Sequence, residues 1–475
     1  MKPTSYVSLP LAILLAACTV GPDYERPETP TMKVYPEGAA LNAKPVQAEW
    51  WKQFKDEDLN QFVAKALKAN ADLQVAAAKV EQATASYADV SGAALPQINM
   101  GAAGTQTRVS NDGYSPITTF AGRNRTDFNA NLSTSFELDF WGKLRRASEA
   151  SRAQLLASTE ARMQVELALV SSVVRTYALV YALDLEIENA QQIQKARHEE
   201  HNLVNERVNL GLGSPADKAQ AQVLESTAIS AVSDLRRARA NAEHLLGSII
   251  GQPDLVMPVK SKALPLVAKV PAVGLPADLL RQRPDVLAAE QSLIAANALI
   301  GYNKAFYFPT FTLTGSGGVE SRQLNSLFTA GNDTAAVGLG ATIPLLDWGR
   351  TEARVAGAVG VRNEAAANYN RTILNAFREV RDALSNLREL GNSVVASQQR
   401  LAAAKEVLRI EKARLARGET APMAELQARR LVAESQTVLL QATLLQLGAE
   451  VDLVQALGGA RPDVVTNPVS ETKTP

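Results

Sequence analysis

Residues 143–210 contain neither glycine nor proline and are dense in Ala, Leu, Glu, Gln, Arg and Val. Glycine and proline penalise a helix interior most, and the residues present mostly favour it. At about 1.5 Å per residue, the stretch predicts one helix of roughly 100 Å. It does not read as a membrane span, because Arg162, Glu166, Arg175, Asp184 and Glu186 interrupt every apolar run well short of about 20 residues. Gly211-Leu212-Gly213-Ser214-Pro215 ends it, and the helical pattern returns towards Gly247. A helix of this length cannot bury itself and must pack laterally against others.

The stretch recurs. Trp141-Gly142-Lys143 has a counterpart 207 positions on in Trp348-Gly349-Arg350. At that offset Arg207 meets Arg414, Gly211 meets Gly418, Pro215 meets Pro422 and Gly251 meets Gly458. Upstream the offset is 213: Asp72 meets Asp285 and Pro96 meets Pro309. The first copy therefore carries six extra residues between its proline and its tryptophan. Length alone would allow two or three domains, but duplication argues for one body with internal pseudo-symmetry. Repeat 1 is expected over 58–251, with a helix, a strand pair at 97–139 and a helical hairpin at 141–247. Repeat 2 is expected over 284–459, with a helix, a strand pair at 310–345 and a hairpin at 348–457. The first helix reads as 58–94, ending at Leu95-Pro96 as a residue before proline should. A linker at 252–283 carries five of the six prolines 253, 258, 265, 271, 276 and 284, the last opening repeat 2. The polar tail at 460–475 is expected to be disordered.

Charge balances at 49 basic against 49 acidic residues, so no global basic field recommends a nucleic acid as partner. Aromatics are 5% of the chain, few for a compact core of this size and better suited to thin walls of close-packed helices. The single cysteine, Cys18, excludes a disulfide framework within one chain. Lys2 followed by an apolar run through Ala17 reads as a secretory signal peptide at 1–17. Leu15-Ala16-Ala17-Cys18 resembles the bacterial lipoprotein cleavage box, which implies N-acyl and diacylglycerol groups on Cys18 as the mature first residue. Thr19, where aspartate would resemble an inner-membrane retention signal, favours the outer membrane. Residues 18–57 then form a lipid-anchored tether.

From Gln97 the hydrophobic period changes to two. Phe128, Ala130, Leu132, Thr134, Phe136 and Leu138 alternate with Asp127, Asn129, Asn131, Ser133, Ser135 and Glu137. Residues 97–109 alternate more weakly, and Asn111-Asp112-Gly113 begins a loop. In copy two, Phe311 and Leu313 alternate with threonines, and Val337, Leu339, Ala341, Ile343 and Leu345 with small or polar residues. Strands of about 9–11 residues with one apolar and one polar face mark a membrane β-barrel. A two-faced soluble sheet is the alternative, but its Asn, Ser, Thr and Gly face would pack poorly on helices. Four strands per chain cannot close a barrel, and open edges are not tolerated in lipid, so the chain must oligomerise. Two chains supply eight strands and a filled lumen; three supply twelve and leave a passage.

Residues 274–286, Gly-Leu-Pro-Ala-Asp-Leu-Leu-Arg-Gln-Arg-Pro-Asp-Val, resemble the signature of the outer-membrane factor family, the TolC-like efflux ducts. Ala289-Glu290, Ala295-Ala296-Asn297, Ile300-Gly301 and residues 306–309 continue it. The start at 20–27, Val-Gly-Pro-Asp-Tyr-Glu-Arg-Pro, and Trp50-Trp51 are similar to the NodT-type lipoprotein branch. The resemblance runs from Cys18 to about Gly459. It implies a mainly α chain with a membrane β-barrel: a homotrimer with a twelve-stranded barrel and a roughly 100 Å periplasmic tunnel of coiled-coil helices. It also implies a periplasmic membrane-fusion adaptor, an inner-membrane resistance-nodulation-division pump and outer-membrane lipid as partners. The expected function is a passive exit duct for drugs or other small toxic compounds. A lipid-anchored coiled-coil spacer or scaffold without a pore is the other reading.

The two helix reversals are expected at the far end of the long helices from the strands. Arg207, Gly211, Asp217, Arg414, Arg417 and Gly418 are the residues expected to contact an adaptor there. Asp217, Glu425 and Gln427 are the candidate aperture. Efflux relatives often carry an aspartate that helps to close the tunnel where this chain has Gln427.

No chemistry of an enzyme is marked out. His198 and His201 lie three apart on a helix, whereas a zinc protease motif sets them four apart with Glu after the first. The pair is read as a solvated face, His244 stands alone, and no metal or other cofactor is expected. The glycines at 315–318 lie in a strand without the GK[ST] ending of a phosphate loop.

Overall fold

The computed structural model describes residues 19–29, 32, 35–36, 49–110, 123–259 and 282–459. The expected signal peptide, Cys18, the loop opening at Asn111, most of the proline-rich linker and the tail lie outside the described residues.

A 3₁₀ turn at Trp50–Phe54 precedes α1 (Glu57–Ala69), α2 (Ala71–Gly92), β1 (Gln97–Arg108), β2 (Asn124–Leu138), α3 (Lys143–Asn209) and α4 (Pro215–Ile249). The second copy follows as α5 (Pro284–Lys304), β3 (Thr310–Ser321), β4 (Asp333–Thr342), α6 (Arg350–Ala416) and α7 (Pro422–Ala456). The long helices are 67 residues in both copies and the return helices 35, so the duplication extends to the length of each hairpin arm.

Two details differ from the sequence reading. The helix expected over 58–94 is two, because Asn70 leaves helical geometry at ψ 129. Its side chain accepts from Leu73 N at 3.1 Å and donates to the Ile249 carbonyl at 2.9 Å, the local competition with helix bonds that asparagine favours. β4 ends at Thr342, short of Ile343 and Leu345, because its partner β3 begins at Thr310, opposite Thr342.

The chain divides into two compact units, each drawn from both repeats. The first takes Met1–Glu28, Lys79–Thr159 and Ala288–Tyr369. It contains all four strands as an antiparallel meander in the order β1-β2-β3-β4. It also contains a strap, residues 19–28, that lies along α5 and the start of α3. Arg26 binds Glu290 through two parallel bonds of 2.7 Å, Tyr24 donates to the same carboxylate at 3.1 Å, and Asn297 donates to the Pro22 carbonyl at 2.9 Å. Asp23 accepts from Arg146 at 2.6 Å, and Val20 N donates to the Trp141 carbonyl at 3.0 Å. Gly21 comes so near Gly301 that a Cβ on it would lie 2.4 Å from the Gly301 Cα. The two sequence motifs, one at 20–27 and one at 289–301, are thus halves of a single contact.

Glu290 is buried and is the shared acceptor, so Glu290→Ala leaves both Tyr24 and Arg26 without a partner. Charge-assisted bonds typically contribute about 1.5–3 kcal/mol, so the strap is expected to lift in this variant. Limited proteolysis within 19–28 reads this directly, and an uncut strap contradicts it.

The second unit takes Thr29–Ala78, Glu160–Leu287 and Asn370–Pro475. Its core joins Leu59 and Val63 of α1, Val173, Val174 and Tyr177 of α3, Leu246 of α4 with Ile250 at its C-cap, and Val451 and Val454 of α7. Two arginines secure the chain on either side of the linker. Arg239 holds Asp184 at 2.9 Å, Glu243 at 2.7 Å and the Met257 carbonyl at 2.8 Å. Arg283 is buried and holds Asp285, Glu379 and the Ala456 carbonyl at 2.7, 2.7 and 2.8 Å. The arginine of the strongest sequence signature is therefore a structural tie.

Candidate functional site

The strand register converts the alternation into surfaces. Met100 pairs with Leu132, and Leu132 with Gly317; Phe136 pairs with Leu313, and Leu313 with Leu339. Side chains directly opposite in a ladder share a face. One face therefore carries Ile98, Met100, Leu132, Phe136, Leu138, Phe311, Leu313, Val337 and Leu339. The other carries Asn99, Asn131, Ser133, Ser135, Thr312, Thr314 and Ser316. The apolar residues are not buried by the chain: Met100 is 81% exposed, Val337 87% and Leu339 68%. β1 and β4 are the edges of the sheet. A surface apolar on one side, polar on the other and open at both edges is unstable in water and incomplete in lipid.

The two helix reversals share a backbone. Leu212 N donates to the Arg207 carbonyl at 2.8 Å, and Glu419 N to the Arg414 carbonyl at 2.9 Å. Gly211 and Gly418 adopt φ 77 and 70, the left-handed position at which a helix C-terminus prefers glycine. The chemistry of the two turns differs. Leu210 and Leu212 flank Gly211 and are 75% and 67% exposed, apolar residues that the sequence reading passed over. Their counterparts, Arg417 and Glu419, form an ion pair at 2.6 Å.

Asp217 completes a capping box: it accepts from Ser214 N at 3.0 Å while its own N–H donates to the Ser214 hydroxyl at 3.1 Å. The Ser214 backbone N–H and hydroxyl, with a smaller contribution from the Arg207 charge, hold the Asp217 carboxyl below the usual carboxylate range. In the second reversal the corresponding N-cap is Ala421, with no side-chain bond.

Two more residues, Arg414 expected at the adaptor contact and Glu425 expected at the aperture, have partners within the chain. Arg414 pairs with Glu411 at 2.9 Å and Glu425 with Arg429 at 2.7 Å. Arg429 also reaches Glu199 on α3 at 3.5 Å, while Glu200 binds Arg197 at 2.8 Å and approaches Arg430 at 3.9 Å. This row of charges between α3 and α7 was missed in the sequence. Distance from the glycines would have found it, since Glu199 lies twelve residues before Gly211 and Arg429 eleven after Gly418. Gln427 is exposed.

His198 and His201 both turn Nδ1 to Glu225 of α4, at 2.6 and 2.5 Å, which keeps that carboxyl below its ordinary range. They are thus a cross-helix contact rather than a freely solvated face. Among the described residues no group of three or more His, Cys, Asp or Glu is arranged to hold a metal ion.

A sequence profile of the family described as outer membrane efflux protein matches residues 62–252 and 275–459. The solvent efflux pump outer membrane protein SrpC of Pseudomonas putida is 33% identical over 472 residues, 96% of this chain and 98% of the relative. The cation efflux system protein CusC of Escherichia coli (strain K12) is 31% identical over 470 residues, 97% of this chain and 100% of the relative. The solved structure of the outer-membrane channel OprN superimposes with a TM-score of 0.84 at 27% identity, over 93% of this chain and 99% of that one. With both repeats matched and the hairpins and strands shared with a known channel, the chain belongs to the outer membrane efflux protein family and is a protein of the bacterial outer membrane.

Proposed function

We propose that three copies of this chain close one twelve-stranded barrel in the outer membrane and form the exit duct of a tripartite efflux pump. The carrying observation is the single apolar face that runs in register across all four strands between two unpaired edges. Four strands are half of the smallest barrel, whose lumen side chains would fill; three chains leave the polar face lining a passage. The helical hairpins wall the periplasmic continuation of that passage. Conduction through it is passive, and the driving energy comes from an inner-membrane resistance-nodulation-division pump through a membrane-fusion adaptor. The relatives are named for solvent and cation efflux, and the cargo class proposed here is small toxic compounds. Reconstitution in a planar bilayer tests the reading: stepwise conductance from a species that crosslinks no further than three chains supports it. A non-conducting species would favour the lipid-anchored spacer.

Cys18 is proposed to carry the acyl groups. The barrel is an independent anchor, so Cys18→Ser behind a cleavable signal is expected to lose its lipid and stay in the membrane fraction. Its complete release into the periplasm would contradict the barrel.

The reversals are proposed as the adaptor contact and the aperture. A Cβ at Gly211 or Gly418 would meet nothing within 4 Å, so valine there costs only its left-handed backbone, about 1–2 kcal/mol. Gly418→Val is expected to fold and insert while losing export, measured as drug or solvent sensitivity of the host. Arg417→Ala and Glu425→Ala are expected to raise single-channel conductance with little change in trimer stability, as the small contribution of exposed ion pairs requires. Wild-type conductance in both would make these pairs mere surface charges.

A further inference from the structure

The duplication carries strand register from one copy to the other. β1, Gln97–Arg108, maps end to end onto β3, Thr310–Ser321, at the offset of 213, and β2 maps onto β4 at 207. Applied to the observed pairs Gln97↔Ser135 and Thr105↔Asp127, the two offsets give Thr310↔Thr342 and Gly318↔Thr334, and both are observed. The second hairpin therefore follows from the first without adjustment.

The same operation applied to the β2–β3 seam describes one that a single chain lacks, between β4 and the β1 of another copy. Leu138↔Phe311 becomes Leu345↔Ile98, Phe136↔Leu313 becomes Ile343↔Met100, and Ser135↔Thr314 becomes Thr342↔Gly101. Leu345 and Ile98 are 91% and 72% exposed in the single chain. In this register the apolar face continues across the seam. A slip of one residue would set Leu345 opposite Gln97 or Asn99 and turn a polar face to lipid.

At the foot of the internal seam, Trp141 donates from Nε1 to the Pro309 carbonyl at 2.8 Å and stacks on Phe308 at 4.7 Å and 25°. The counterparts are Trp348 on one side and Leu95-Pro96 on the other. Trp348 is 88% exposed and Leu95 63%. Trp348 also stands at φ 57, a left-handed backbone in which a bulky residue is an outlier. The second internal contact at this foot, Phe140 edge-on to Phe311 at 5.3 Å, has no counterpart, since Asp347 takes the place of Phe140.

We propose that Trp348 hooks the next copy of this chain, its indole N–H donating to the Pro96 carbonyl of that copy and its ring covering Leu95. The segment 343–345 that continues β4 is thereby locked beside the neighbouring β1 with Leu345 opposite Ile98. The inference rests on the reading that several chains close one barrel. The indole carries the foot of this seam alone, whereas Trp141 shares its load with two phenylalanines.

The test uses the full chain in its own membrane. Leu345→Cys with Ile98→Cys, oxidised in situ, is expected to give a disulfide ladder ending at three chains. Thr342→Cys with Gly101→Cys samples the alternate pair type of the antiparallel ladder, so one of the two combinations has the closer geometry. Leu345→Cys with Asn99→Cys, one residue out of register, is expected to give no ladder. A ladder from the shifted pair, or none from either in-register pair, overturns the register. Chain number in detergent then shows whether the barrel reading falls with it: a trimer leaves that reading standing, and a monomer removes it. For the hook, Trp348→Ala and Leu95→Asp are expected to leave at least tenfold less trimer at equal chain concentration, and Trp348→Phe to retain part of it. Trp348→Ala trimers as heat-resistant as wild type overturn the hook and make Trp348 an anchor in the lipid interface.

Discussion

Leu132→Arg is expected to keep the chain out of the outer membrane, whereas Ser133→Arg, one residue away, is expected to leave it there. The two positions lie on opposite faces of β2, near the middle of the sheet. Leu132 stands between Met100 and Gly317; Ser133 stands between Asn99 and Ser316. An arginine facing lipid at mid-depth costs about 2–4 kcal/mol per chain, and the proposed ring of three chains would triple that figure. Net folding stabilities are themselves only about 5–15 kcal/mol. On the polar face the same charge meets water, and the expected result is an assembled channel with reduced cation conductance. Quantifying heat-modifiable trimer in outer-membrane fractions separates the two variants. Equal amounts of trimer from both would mean that the apolar face does not meet lipid.

The second large effect depends on pH. Glu450, on α7, is 7% exposed and its Oε2 has no hydrogen-bond partner. Burial disfavours the carboxylate and pushes its pKa from 4.5 to about 7. The native state therefore holds this proton over a window, from about 4.5 to 7, in which the unfolded chain has released it. Where the native state binds more protons than the unfolded one, stability falls as pH rises. The loss begins near pH 4.5 and is complete above pH 7. A shift of that size corresponds to about 3 kcal/mol. Glu450→Gln, which is neutral throughout, is expected to melt higher than wild type at pH 8 and alike at pH 4. Equal melting temperatures at pH 8 would show that the carboxylate gains a partner in the assembled protein. Glu186 on α3 is raised in the same direction by burial, opposed by a bond to Gln441, and should add to the trend.

Much of this architecture is periodic, and periodicity is what a single sequence displays. The absence of glycine and proline over 143–210 set the length of α3 to within a residue, because nothing else in the stretch competes with a helix. The alternation over 126–138 placed each side chain on its face, since a strand has only two. Asn70 was less visible: an asparagine inside an amphipathic run breaks a helix only when its amide finds a carbonyl, here that of Ile249, 179 residues away. The strap had the same difficulty, because Arg26 and Glu290 are 264 positions apart and each is an ordinary charge by itself. At the reversals the glycines were legible from φ requirements, but the second partner of Arg429 was not, since Glu199 belongs to the other repeat. Arg283 shows the opposite case, a recognisable motif residue whose contacts are structural.

The capping box that closes the first reversal has no equivalent at the second, where Ala421 offers no side-chain acceptor to the first turn of α7. Replacing a serine cap by alanine typically costs about 1 kcal/mol, a population ratio of roughly five at ambient temperature. Of the two equal-length hairpins in each chain, the second is thus expected to visit frayed states about five times as often as the first. In the proposed ring of three chains the loosened ends alternate with tight ones, so dilation of the ring is expected to begin at three alternate corners while the other three act as fixed posts.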